Sequence, residues 1–450
     1  MKNSLFILLL LIVVSGTACK KILDQKPQTE VSDDGVISDK KTSLSALYGI
    51  YNNLQGGYVS TLNAFNLAGD NVIVTTTPTI VVRDRSIDDD GGAPFASYYV
   101  NINRANFIIK RVPRVVDQQL TLKERNQIIG EAYFLRALSY FDLARFFGGV
   151  QIVTEPSERI DTHKDTKRST LEETYAQVLA DLNQAEQLIT DVADRSRANI
   201  YAVYALKARF YLYTSQWELA EEYAGKTITA SSVFELVKPY SAFYTGRLTK
   251  ESILEIIFTT EDLTTYWRTW LSTKDDGGNQ TYTTSPNILS ALLNPAQGGS
   301  RKSLVKAATS PVGFYAVQLY GKKDGTSSLF LLRIAEQYLI RAEARVKKAS
   351  PDLAAAASDL KAVQGRADVT PLFDFKNTTT ADELNLAIEN ERRYELAFEG
   401  HRFSDIVRTK RAAEVFGAVN PKLKESYQWV FPIPQNSIDK DKNLVQNPLY

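Results

Sequence analysis

The chain has one cysteine, Cys19, and two histidines, His163 and His401, in 450 residues. A single thiol excludes an internal disulfide framework. Two histidines far apart in the sequence leave no zinc-ligand spacing, and no metal site is assigned. Neither G-x-S-x-G nor G-x-x-x-x-G-K-[ST] occurs, which removes the α/β-hydrolase elbow and the P-loop. Charge of one sign is also missing: 53 Lys and Arg face 52 Asp and Glu. Without residues 1–18, whose one charge is Lys2, the two signs balance. A neutral chain offers no electrostatic case for nucleic acid or an anionic membrane surface. The run Leu5–Val14 is apolar throughout but falls short of the about 20 residues that a spanning helix needs. Tryptophan is scarce, four residues against 23 Tyr, so each indole has to be placed individually.

Lys2, the apolar run and the small residues Ser15–Ala18 together read as a secretory signal peptide. Cys19 follows at once, where a bacterial lipoprotein signal places the thiol that becomes lipidated. An ordinary signal peptide with an incidental cysteine is the alternative. Read as a lipoprotein, residues 1–18 are the leader and 19–40 a polar tether carrying Pro27. The mature chain then keeps no free thiol and no cysteine nucleophile.

Gly130–Gly149 (GEAYFLRALSYFDLARFFGG) organises the rest. After Glu131 its polar residues, Arg136, Ser139, Asp142 and Arg145, fall three apart and wind along one side of a helix. The remainder is apolar, so this helix needs neighbours on several sides. Thr121 with Glu124 reads as its capping box, and Thr170 with Glu173 as that of an amphipathic helix over 169–190. Ala198–Ala230 reads as two helices broken at Thr214-Ser215-Gln216. Ala208, Ala220 and Ala224 sit at their close crossing, and Trp217 fills it. Ser328–Ala367 reads the same way about Ser350-Pro351. The spacing resembles a tetratricopeptide repeat, whose helix pairs bury their faces only by stacking.

The expected fold is therefore mostly α. A tetratricopeptide-like scaffold spans about 41–230 and 328–420. A loop-rich part spans about 231–327, with strand-like runs at Ser252–Thr260 and Val312–Tyr320. The tail, 421–450, is expected to be extended. Near the start, helices are expected over 41–55, 61–70 and 97–116, with a long loop over 71–94.

Four stretches carry a resemblance: GEAYFLRALSYFDLARFFGGVQIVTE, QYLIRAEA, ERRYELAFEGHRFSDIVR and FPIPQNSIDKDKNLVQNPLY. With KILDQKPQTE after Cys19, they resemble in kind and order the hallmark segments of the SusD/RagB family, nutrient-binding surface lipoproteins of Bacteroidota. The resemblance implies one SusD-like domain over 41–450, with no catalysis and no cofactor. It implies a lipid anchor in the outer membrane, facing the cell exterior. It also implies a partner, a SusC-like TonB-dependent transporter, that receives captured glycan or, in some members, peptide. On the residues alone, a helical-repeat scaffold for another protein and a hydrolase on the same helices remain alternatives.

Sugar rings offer C–H faces to Trp and Tyr, and their hydroxyls bond to Asp, Asn, Gln and Arg. Tyr266, Trp267, Trp270 and Tyr282 lie in a stretch too polar for core and form the first candidate ligand site. Arg268, Asp275, Asp276, Asn279 and Gln280 flank them. The competing reading packs Trp267 and Trp270 inward from one face of a short helix. The second candidate is the 71–99 loop with Arg83, Asp84, Arg85, Phe95, Tyr98 and Tyr99. Trp217 and Trp429 read as packing. Asp88-Asp89-Asp90 lacks the alternation of an EF-hand loop and reads as a solvated acidic turn. Glu391, Arg392, Arg393, Glu395, Glu399, Arg402 and Asp405, with His401, read as a structural ion-pair network of i,i+3 and i,i+4 neighbours. The same cluster resembles a family-wide hallmark rather than a specificity element.

Overall fold

The computed structural model describes residues 37–76, 94–158, 162–163, 165–192 and 194–450. Cys19, Arg83, Asp84, Arg85 and Asp88–Asp90 lie outside them. Helix α1 (Lys40–Ala68) starts at Asp39, whose carboxylate accepts the Thr42 N–H at 2.7 Å. It continues through Gly56-Gly57, where two separate helices were expected. The reason is packing: a Cβ on Gly57 would lie 2.8 Å from Ser97 Oγ. That glycine marks a close approach to α2 (Phe95–Arg111), not a break.

Helix α3 (Leu122–Phe147) is the central element, and its Thr121–Glu124 capping box closes in both directions. Phe134, Tyr140, Phe141, Phe146 and Phe147 are completely buried. Its buried charges are answered in place: Arg136 by Asp181 at 2.6 Å, Glu131 by Arg197 at 2.6 Å, and Asp142 by Arg145. Helix α4 (Leu171–Leu188), capped by Thr170 and Glu173, packs along α3. Helices α5 (Ile200–Tyr213) and α6 (Trp217–Ile228) form the first pair, with Ala208, Ala220 and Ala224 fully buried.

The loop-rich part carries short helices α7 (Tyr266–Trp270) and α8 (Pro286–Leu293). A second pair follows, α9 (Ile334–Lys347) and α10 (Leu353–Arg366), then α11 (Ala381–Glu395) and α12 (Arg402–Arg408). Helix α6 packs on α9 and joins the two pairs. There the Lys347 ammonium sits 5.2 Å from the Trp217 ring centre.

The strands are β1 (Val72–Val74), β2 (Ser252–Ile256), β3 (Tyr282–Thr284), β4 (Val305–Ala307), β5 (Tyr315–Val317) and β6 (Leu329–Arg333). They form three antiparallel pairs: β1 with β3, β2 with β6, and β4 with β5. Every residue of β2 and β6 is buried, the polar ones included: the Ser252 hydroxyl donates to Glu255, and Arg333 pairs with Glu251.

The tail departs from the extended run expected of it. Its prolines separate short turns at Pro421–Lys424 and Ser426–Trp429 from a further helix, α13 (Gln435–Lys440). Long-range bonds fix it to α3. The Phe431 N–H donates to Phe146 O at 2.6 Å, and Asn447 Nδ2 donates to Phe147 O at 3.1 Å.

The charges of 391–405 form a buried network, but with other partners than helical spacing offers. Glu391 and Glu395 lie one turn apart on the same buried face, so the nearest same-face neighbour of each is another acid. Both must find cations across the interface. Arg333, ending β6, reaches Glu251 at 2.9 Å, Glu395 at 3.0 Å and Glu399 at 2.6 Å. Arg301 pairs with Glu391 and with Glu395, and Arg366 with Glu395. Burial alone would raise the Glu395 carboxyl; Arg366, Arg301 and Arg333 hold it at about 2. Arg392 takes Asp405 from α12 at 3.0 Å. Among the described residues of 391–408, only Asp405 and Arg408 pair at i,i+3 spacing.

Candidate functional site

The two candidate stretches, far apart in the chain, meet through β1 and β3. Val72 pairs with Thr284, Ile73 with Thr283 and Val74 with Tyr282. Thr75 extends the ladder, its N–H donating to Thr281 O at 3.0 Å and its hydroxyl to Gln280 O at 2.8 Å. Strand β5 is tied to β3 through one side chain: the Thr283 hydroxyl donates to Tyr315 O at 2.9 Å and accepts the Tyr315 N–H at 3.0 Å. Around this face Tyr282 and Tyr315 are half-buried, and Arg268 and Asn279, joined by the Asn279 N–H donating to Arg268 O at 2.8 Å, are exposed.

The ion-pair cluster holds the base of this face. Asp70, two residues before β1, receives Arg402 at 2.8 Å and Arg393 at 3.0 Å. Burial works against its ionised form, but Arg402 and Arg393 hold the carboxyl below its ordinary value. Arg393 Nε also donates to Asn71 Oδ1 at 2.9 Å. The Ser285 hydroxyl donates to Asp70 O at 2.7 Å, tying the end of β3 to the start of β1. Arg393 and Arg402 therefore fix where β1 begins, a positioning role that spacing along the chain does not reveal.

The aromatic candidates divide. Trp270 is fully buried, with ring centres of Tyr282 at 5.5 Å, Tyr266 and Phe398 at 6.0 Å and Tyr320 at 6.1 Å around it. Tyr266 is 4% exposed, its hydroxyl bonded to Asn63 Oδ1 at 3.1 Å. Both are core, contrary to the surface role expected of them. They are i,i+4 on α7 and point together into the fold, while the polarity of the stretch comes from its other face. Trp267 packs on Leu271 and Ala316, keeps 9% of its surface, and has the Arg268 guanidinium 5.1 Å from its ring centre. It contributes an edge rather than a platform.

Tyr98 is also corrected: it is 2% exposed and faces the core, with Thr61 Oγ1 at 2.6 Å and Asp142 Oδ2 at 3.1 Å from its hydroxyl. Asp275 accepts the Thr309 hydroxyl at 2.5 Å and so holds the β4–β5 turn, and Asp276 pairs with Lys323, beyond β5, at 2.8 Å. Tyr315 was missed. Only its place in the strand-like run Val312–Tyr320 pointed to it.

Gln280, two residues before Tyr282, is fully buried at φ +40°, and neither atom of its side-chain amide has a partner. The Thr284 Oγ1 shares that condition. Among the described residues, no group of three or more His, Cys, Asp or Glu gathers to hold a metal. His401 lies buried 3.8 Å from Glu336, and burial lowers its imidazole to about 3. No described helix is long and apolar enough to cross a membrane.

Comparison with known proteins places the chain as a whole. A family model described as starch-binding, associating with the outer membrane, matches residues 21–212, and the SusD family model matches residues 213–450. SusD-like protein P38 of Formosa agariphila is 25% identical over 96% of each chain. The starch-binding protein SusD of Bacteroides thetaiotaomicron is 29% identical over 36% of this chain and 30% of its own. Among solved structures, a SusD homolog from Bacteroides thetaiotaomicron superposes with a TM-score of 0.77 at 20% identity, covering 94% of this chain and 99% of that one. A laminarin-binding SusD-like protein does so with 0.73 at 22%, covering 92% and 100%. The models together span the chain from Lys21 to its last residue, and the helical scaffold is the one those structures have: this chain belongs to the SusD/RagB family.

Proposed function

We propose that this chain binds glycan at the cell surface and passes it to a SusC-like TonB-dependent transporter for import. Cys19 carries the lipid that anchors it in the outer membrane, residues 19–40 are the tether, and 41–450 form a single binding domain. No bond is made or broken, and no cofactor is required. What carries the reading is the β1–β3 pairing, which sets Tyr282 opposite Val74 on a fixed antiparallel ladder. Family membership and the laminarin-binding relative support glycan as the ligand class. The face suits it: Tyr282 and Tyr315 give ring surface, Arg268 and Asn279 give polar contacts, and a rigid strand ladder holds them pre-formed.

The test is titration of the soluble chain with neutral polysaccharides and with peptides, followed by tryptophan fluorescence. Saturable binding of one glycan, weakened about tenfold or more by Tyr282→Ala, is the expected result, a loss of about 1.4 kcal/mol. A response to peptides alone moves the ligand class. Turnover of an oligosaccharide would sink the non-catalytic reading.

A further inference from the structure

Beside the buried Tyr98, helix α2 borders a second feature. There Phe95, Tyr99 and Asn103 line a cavity of about 470 Å³. The segment around Gln151 and His163 closes it on one side, and Lys440 and Asp441 of the tail on another. Three stretches distant in sequence thus build one cleft, within the roughly 300–1,000 Å³ of small-molecule sites.

Its walls are held in place before any ligand arrives. The Tyr99 hydroxyl donates to Gln151 O at 2.9 Å. The Gln151 amide donates in turn to Asp441 Oδ2 at 2.7 Å and Thr166 O at 2.6 Å. The Phe95 and Tyr99 rings lie 5.1 Å apart, and Phe95 is braced edge-on by Phe147 at 5.0 Å. A pre-formed wall lowers the ordering cost of binding.

The polar groups are of both kinds. Asn103 Oδ1 accepts the Ser157 N–H at 2.7 Å, so its amide NH2 remains to donate. His163 Nε2 lies 3.0 Å from Glu155 O, which leaves its other ring nitrogen. Lys440 is exposed, and Asp441 stands next to it. One cation beside one anion leaves the cleft with no net charge to draw in an anionic or a cationic ligand. The hydroxyls of an uncharged ring can both accept from Asn103 and Lys440 and donate to Asp441.

We propose that this cleft is a second saccharide site, taking one or two rings of a neutral glycan. The proposal rests on the glycan reading above and extends it: two sites on one chain give a polysaccharide two holds. Linked contacts raise apparent affinity without new chemistry at either site.

The test uses the full soluble chain with neutral hexasaccharides of glucose (α- and β-linked), mannose, xylose and galactose, and with a hexagalacturonate. Val100→Trp and Ala96→Trp set an indole at the cleft mouth, where both native side chains are exposed and tolerate change. Unchanged melting temperatures verify the fold. The expected result is calorimetric binding of one neutral hexasaccharide at two sites per chain. Val100→Trp removes one site and Tyr282→Ala the other, and each weakens the parent polysaccharide about tenfold or more. A single site untouched by both cleft variants overturns this proposal and leaves the β1–β3 face standing. Binding only of hexagalacturonate, lost in the cleft variants, overturns the neutral class. Binding of nothing overturns both the cleft and the glycan reading.

Discussion

The guanidinium of Arg333 and the carboxylate of Glu395 meet at 3.0 Å, and neither side chain is more than 1% exposed. Three arginines converge on Glu395, so losing its charge strands them together in a low-dielectric interior. Glu395→Gln is expected to lower unfolding free energy by about 3–5 kcal/mol, the range for breaking a buried pair. Lys238 and Asp368 make the control. They lie 3.2 Å apart but are 57% and 60% exposed, and Asp368→Asn should change stability by less than about 1 kcal/mol. Urea midpoints of the two variants decide it, and equal shifts would contradict the network.

Acid should unfold this protein in two windows. Burial opposes the ionised forms of Glu336 and Glu343, but Arg209 and Arg408 hold them at about 2. An unfolded glutamate titrates near about 4.3, so below that pH the unfolded chain binds more protons. Their contribution is complete above about 4.3 and is lost as pH falls toward 2. His401 acts higher. Burial lowers it to about 3, against about 6.5 unfolded, so stability falls as pH drops below about 6.5. Glu251, Glu391 and Glu399, raised by burial, run the other way and lose stability as pH rises through their raised values. Those carboxylates are common to wild type and His401→Gln, so the difference isolates the imidazole. Between pH 6.5 and 4.5 the variant should lose less stability, by up to about 1.4 kcal/mol per pH unit. Parallel pH profiles would show that His401 is not held neutral.

What could be read from sequence was whatever three or four residues settle among themselves. The capping boxes at Thr121–Glu124 and Thr170–Glu173 are of that kind, and so are the helix pairs with their small residues at the crossing. Gly57 was not: its meaning depends on Ser97, which local spacing does not bring near. Trp270 failed for a related reason. Averaging polarity along 261–286 mixes both faces of α7, and the residues that enclose the indole, Tyr320 and Phe398, come from elsewhere. The pairing of Val74 with Tyr282 leaves no mark in one sequence, because two three-residue strands carry too few side chains to specify a partner.

Two glycines separate close packing from mere helix weakness. A Cβ on Gly149 would fall 2.1 Å from Ser169 O and 2.6 Å from Thr170 C, both backbone atoms at the start of α4. Gly149→Ala must push α4 off the end of α3 and should cost about 1–3 kcal/mol. Gly225, inside α6, has nothing within 4 Å of the same position. Gly225→Ala should stabilise the chain by about 0.5–1 kcal/mol. Opposite signs in thermal melts are the expected result; a tolerated Gly149→Ala would mean the α3–α4 junction is looser than its geometry.

The aromatic cluster admits a sharper division between fold and binding. Trp270 has no exposed surface, so Trp270→Ala opens a cavity and should destabilise by about 3–5 kcal/mol. Trp270→Phe keeps most of the volume and should cost less, leaving glycan affinity within about twofold. Tyr282 is half-buried on the face itself, and Tyr282→Ala should weaken binding far more than it lowers stability. The pair reads out in one experiment: urea midpoint against glycan dissociation constant for each variant. The geometry puts Trp270 variants along the stability axis and Tyr282 along the affinity axis. A Trp270→Phe protein that stays folded but loses glycan would mean that the indole reaches the ligand, and that the face rearranges on binding to expose it.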